Sequence, residues 1–126
     1  MFEGIFPNKR DIGDRHEGYA VDVIKKAGLE IVEKNYLCKL GEVDIIARSE
    51  HDMIFIEVRY RRSESYGGAL QSVDKKKQRR IGLAANHFLQ KHNLTNKVAC
   101  RFDVFAITGS LNHLNYQWVK AAFDFS

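Results

Sequence analysis

The sequence predicts a mixed β-sheet flanked by helices, of the α/β or α+β class. Three observations carry that expectation. Two stretches, Asp11 to Ala27 and Asp74 to about His92, repeat apolar residues at helical spacing. Three short runs rich in β-branched and aromatic residues lie between those helices, and a fourth follows the second one. A single proline, with no repeat and no low-complexity block, leaves the 126 residues as one domain with one core.

The elements follow in order. In the first helix Ile12, Tyr19, Ala20, Val23, Ile24 and Ala27 form the apolar stripe. Lys25 and Lys26 fall in its last turn, and Gly28 is a C-terminal stop. Glu17 precedes Ala20 and Ile24 by three and seven residues, which puts it on or beside that stripe. Its spacing from Asp14 also fits a capping box. Leu29 to Leu37 reads as a strand. Val43 to Arg48 and Met53 to Tyr60 read as two more, joined by the polar Ser49 to Asp52. A turn centred on Glu50 and His51 sets Asp44 opposite Glu57 and Glu42 opposite Arg59. Side chains alternate along a strand, so all four share one face in that register. Arg62 to Ser72, with Gly67, Gly68 and several serines, reads as a mobile loop. Ser72 or Asp74 caps the second helix, whose stripe is Ile81, Ala84, Ala85, Phe88 and Leu89. Asn93 to Lys97 is a loop and Cys100 to Ile107 a strand. The aromatic tail, Tyr116 to Phe125, reads as a short strand or helical turn. The domain core therefore spans about residues 11–107, with 108–126 as a closing segment.

Composition narrows the function. No apolar run approaches the ~20 residues of a membrane helix. The start, MFEGIFPNKRDIG, lacks the basic-then-apolar layout of a signal peptide, so a cytoplasmic location and no membrane partner are expected. Cys38 and Cys100 read as buried thiols, and the five histidines lack zinc-site spacing. The formal charge is +4, but its distribution says more. Arg59, Arg61 and Arg62 cluster, as do Lys75, Lys76, Lys77, Arg79 and Arg80. Such clusters are either a solvated face or the footprint of a polyanion binder. Lys76, Lys77 and Arg80 share a helix face, and with Arg61 they are the candidate contacts to a nucleic-acid backbone.

Asp44 and Glu57 interrupt apolar strands, where an unpaired buried charge is expensive. Phosphodiester hydrolysis gives them a purpose. It needs a positioned water and neutralised phosphate charge, which Mg²⁺ on one or two carboxylates supplies. Arg59, on the same face, could stabilise developing charge. The plain alternative is a Glu42–Arg59 ion pair across the strands. Asp103, inside RFDVFAI, reads as a structural partner, for instance of Arg101.

GEVDIIA followed by IFIEVRYR resembles the PD-(D/E)xK nuclease core. More closely, the chain resembles the YraN-like uncharacterised protein family within that superfamily. The likeness runs from about Gly13 to Ile107 and takes in Glu17 with Ala20, Gly28, Asn35, Val73, Lys77 with Arg80 and Ile81, and RFDV at Arg101 to Val104. It implies an α/β, restriction-endonuclease-like core of order α-β-β-β-α-β, kin to Holliday-junction resolvases. It implies catalysis by Asp44, Glu57, Arg59 and Glu17, with Mg²⁺ or Mn²⁺ held by Asp44, Glu57 and Glu17. The partner it implies is nucleic acid, DNA ahead of RNA, and a resolvase would act as a homodimer. The chain departs from the family pattern at Arg59, where lysine is usual, at His16, where glycine is usual, and at Leu37. Arginine is never deprotonated at neutral pH, so Arg59 could serve only as a fixed charge. The reading is a metal-dependent nuclease, with branched DNA among its substrates. The alternative is a nuclease-fold module that binds nucleic acid without cutting it.

Overall fold

The computed structural model describes residues 9–62, 66–110 and 112–125. Its elements run α1 (Lys9–Lys26), β1 (Glu30–Cys38), β2 (Gly41–Arg48), β3 (Asp52–Arg61), α2 (Tyr66–Gln71), α3 (Lys75–Lys91), β4 (Ala99–Ser110) and β5 (His113–Phe123). The five strands form one sheet in sequence order. All neighbours are antiparallel except β3 and β4. Parallel neighbours need a crossover, and the α2–α3 segment provides it. This is an α/β fold with a mixed sheet, in the order expected of a restriction-endonuclease-like core.

Both faces of the sheet are covered, which is why MIFIEV in β3 shows no polar alternation. Met53 and Phe55 pack with Val73, Ile81, Ala84, Ala85 and Phe88 on the α3 face. Ile54 and Ile56 pack with Ala20, Val21 and Ile24 of α1, together with Ile45, Phe105 and Ile107. Phe55, Phe105 and Ile56 are fully buried, and each such side chain contributes on the order of 1.5–3 kcal/mol.

The structure differs from the sequence reading in four places. The supposed loop from Arg62 contains α2. Gly67 and Gly68 hide this helix from propensity rules, but Ala69 is fully buried and the turn is held by the sheet beneath it. The loop's residues 63–65, like residues 1–8, lie outside the described residues. The tail is a full strand, β5, which pairs with β4 from Ser110–His113 to Phe102–Phe123. Helix α1 begins at Lys9, so Asp14 lies inside it and not at a cap. Both cysteines are free thiols, yet Cys38 is half-buried and Cys100 exposed. Among the described residues no helix is long and apolar enough to cross a membrane.

Asp103 is structural. Arg101 grips it with Nε and a terminal NH2 at 2.8 and 2.9 Å, while Trp118 Nε1 and the Ala121 N–H each donate at 2.9 Å. These four donors occupy both oxygens and bind β4 to β5 around a bulge.

Candidate active site

The β2–β3 hairpin has the expected register. Ile45 pairs with Ile56 and Arg48 with Met53, so Asp44 and Glu57 are the next opposed residues. There the two strands part. β2 stays paired to β1 as far as Gly41, and β3 stays paired to β4 as far as Arg61, but β2 and β3 are not paired beyond Ile45–Ile56. The Ser49 N–H donates to the Asp52 carbonyl, which fixes the alternation of the ladder. By that alternation the Val58 N–H would next meet the Val43 carbonyl. It donates instead to Asp44 Oδ2 at 2.9 Å. A carboxylate has replaced a ladder bond at the point where the sheet forks.

The strand opposite explains how β2 can turn Asp44 there. Val43 and Ile46 both belong to the α3-side core while Ile45 belongs to the α1 side, so strict alternation breaks at Asp44. Asn35 faces that break, between the pairs Lys34–Ile45 and Tyr36–Val43. Its φ is +53°, a left-handed conformation that asparagine tolerates better than most residues.

Helix α3 closes the fork. Asp74 is its N-cap, accepting the Lys77 N–H at 2.8 Å. Gly41, at the start of β2, lies so close to α3 that a Cβ there would stand 2.1 Å from the Arg80 carbonyl oxygen. The result is a cavity of about 490 Å³, lined by Glu42, Asp44, Glu57, Arg59, Asp74, Lys76, Lys77 and Arg80. Glu57 is 4% exposed. Lys77 Nζ approaches its Oε2 to 3.4 Å, and an Arg59 terminal nitrogen approaches the same oxygen to 3.6 Å. Burial first, then the charge and hydrogen bond of Glu57, push the Asp44 carboxyl from 3.8 up to about 7. The Val58 N–H and Lys77 pull the other way.

Of the residues singled out from sequence, Asp44, Glu57, Arg59, Lys76, Lys77 and Arg80 meet at this cavity. Arg61 does not line it; a terminal nitrogen folds onto the Tyr60 carbonyl at 3.2 Å. Glu17 does not line it either, and its Oε1 accepts from Asn35 Nδ2 at 3.0 Å. Among the described residues no group of three or more His, Cys, Asp and Glu side chains converges on a metal-sized site. Sequence reading offered Ser72 as a helix cap, whereas Asp74 is the cap and Ser72 holds Arg59; it also passed over the nearness of Lys77 to Glu57. That nearness was legible: Lys77 precedes Ile81 by four residues and so extends the buried stripe of α3 by one turn.

Fold and site together define a mixed-sheet α/β protein with a paired-carboxylate cleft beneath a basic helix. The chain belongs to the uncharacterised protein family UPF0102, whose model matches residues 16–107. It is similar to a UPF0102 protein of Hahella chejuensis, 48% identical over 115 residues and covering 90% of each chain. A UPF0102 protein of Alcanivorax borkumensis is 43% identical over 92% of this chain and 94% of its own. One of Pseudomonas syringae pv. syringae is 40% identical over 92% and 95%.

Proposed function

We propose that the protein is a metal-dependent phosphodiesterase acting on nucleic acid, DNA ahead of RNA, with branched DNA among its substrates. The observation that carries this reading is the Asp44–Glu57 pair at the fork. Two carboxylates held together out of water cost stability, and such a cost is kept where it serves a function. The donor set suits Mg²⁺ or Mn²⁺: hard oxygens, no more than two protein carboxylates, and a cavity with room for water. Asp44 and Glu57 would hold the ion, which would supply a Lewis acid and a more acidic bound water.

The chain's own residues do the rest. The Val58 N–H fixes the Asp44 carboxylate through Oδ2. Lys76 and Arg80, on the cavity wall, take the flanking phosphates, and Arg61, at the end of β3 and outside the cavity, would add a further backbone contact. Their contacts are to the backbone and carry no base readout. The Lys77 amide is already engaged by Asp74, so binding at α3 relies on side chains more than on free helix amides. Glu17 supports the centre from behind: it holds Asn35, which stands opposite Asp44.

The test is cleavage of end-labelled single-stranded, duplex, flap and four-way-junction DNA with Mg²⁺, Mn²⁺ or EDTA. Metal-dependent cutting is expected, lost by at least about 100-fold in Asp44→Ala. A second reading, nucleic-acid binding without cleavage, is favoured by the way Arg59 is tied to Ser72 and Glu57. No cutting by the wild type, with salt-sensitive DNA binding intact, would select it.

A further inference from the structure

Two cations approach Glu57, and they differ in the freedom they keep. Arg59 donates from Nε to Ser72 Oγ at 2.8 Å, and that hydroxyl donates to the Ala69 carbonyl at 2.6 Å. The guanidinium is thereby stitched to the end of α2, with its side chain only 22% exposed. The Lys77 side chain is 41% exposed and lines the cavity. Its main chain is fixed by the Asp74 cap, and Ile81, one turn on, is buried against the sheet. A fixed base with a solvent-facing tip suits a group that must leave Glu57 to meet an incoming phosphate.

We propose that Lys77, delivered from α3, is the catalytic cation of this centre, contacting the scissile phosphate beside Asp44 and Glu57. Arg59 is then a positioning residue that holds Glu57 and the α2–α3 junction. This assignment rests on the phosphodiesterase reading. It differs from a phosphate clamp in what it changes. A clamp on flanking phosphates adds affinity, whereas a cation on the scissile phosphate acts on charge that grows in the transition state and so raises the rate. It also explains an arginine at position 59. The guanidinium donates a hydrogen bond to Ser72 from Nε while a terminal nitrogen stays within ion-pair range of Glu57 at 3.6 Å, a division between two groups that a single ammonium fixes less well.

The experiment compares wild type with Lys77→Met, Lys77→Arg and Arg59→Lys. It reads single-turnover cleavage of a labelled four-way junction, flap and duplex at saturating protein with Mg²⁺. It also reads DNA affinity by anisotropy in EDTA, and Mn²⁺ affinity by calorimetry. Lys77→Met is expected to cut about 100-fold more slowly while DNA Kd moves by no more than about three-fold. Its Mn²⁺ binding should tighten about three-fold or more, because a positive charge beside Glu57 is gone. Lys77→Arg should recover part of the rate. Retained rate with weakened DNA binding in Lys77→Met would make Lys77 a clamp and overturn the proposal. So would a rate gain in Arg59→Lys with Lys77→Met silent, or unchanged Mn²⁺ affinity in Lys77→Met. No cutting by the wild type on any of these substrates would instead overturn the phosphodiesterase reading and the catalytic role with it.

Discussion

Asp44 shows at the scale of one residue what the site costs the fold. Its carboxyl is held at about 7 in the folded protein against 3.8 for an ordinary aspartate. Between those values the folded state binds more protons than the unfolded one, so this group's contribution to stability falls as pH rises through 7. In EDTA, Asp44→Asn should therefore melt at a higher temperature than wild type at pH 8, and the gain should shrink as pH falls below 7 and vanish near 3.8, the ordinary aspartate value. An asparagine keeps an acceptor for the Val58 N–H, so the comparison isolates the charge. Equal melting temperatures at pH 8 would remove the strain from the pair. Asp44 was legible because a carboxylate flanked by Val43, Ile45 and Ile46 has no cheap place in a sheet. His16 was not. It is 5% exposed and stacked on Tyr60 at 3.9 Å between ring centroids, and its Nε2 has no hydrogen-bond partner among the described residues. Burial lowers its pKa. No periodicity distinguishes such a ring contact from a surface histidine.

Among the elements, α3 sets the geometry, because it brings Lys77 to the two carboxylates. The close approach that allows this is Gly41 against the Arg80 carbonyl. Gly41→Ala should push α3 away from the fork, cost about 1–3 kcal/mol in denaturant unfolding, and slow cleavage. Stability and rate both unchanged would show that the contact yields without moving Lys77. The helix itself was readable, since its stripe and its Asp74 cap are local signals. The hairpin register was readable too, because the polar turn centred on Glu50 and His51 sets Asp44 opposite Glu57, the register that the Ile45–Ile56 and Arg48–Met53 pairs have. Helix α2 was not readable. A six-residue segment with two glycines forms a helix here because Ala69 and Leu70 pack on the core, and no local rule carries that contact. The bond from Arg59 to Ser72 depends on α2 and was hidden with it.

The whole molecule is a sheet braced on one face by α1 and opened on the other beneath α3. Strand β3 sits at its centre, paired to β4 along its whole length and to β2 along less than half of it. That asymmetry makes the fork, and the fork exposes a carboxylate pair to a cavity walled by lysines and arginines. Asp103, with both oxygens satisfied, marks the contrast: the fold can bury a carboxylate securely when it has no other use for it. Under the proposed function, Asp44 and Glu57 would take a cation from outside, in competition with Lys77 and Arg59 at Glu57. The direct test of that claim is Mn²⁺ binding by calorimetry at pH 8 and pH 6, with wild type beside Asp44→Ala. Binding that weakens at pH 6, where a proton competes for the pair, and disappears in the variant is the predicted result. Equal binding by the two proteins, or none by the wild type at pH 8, would contradict it.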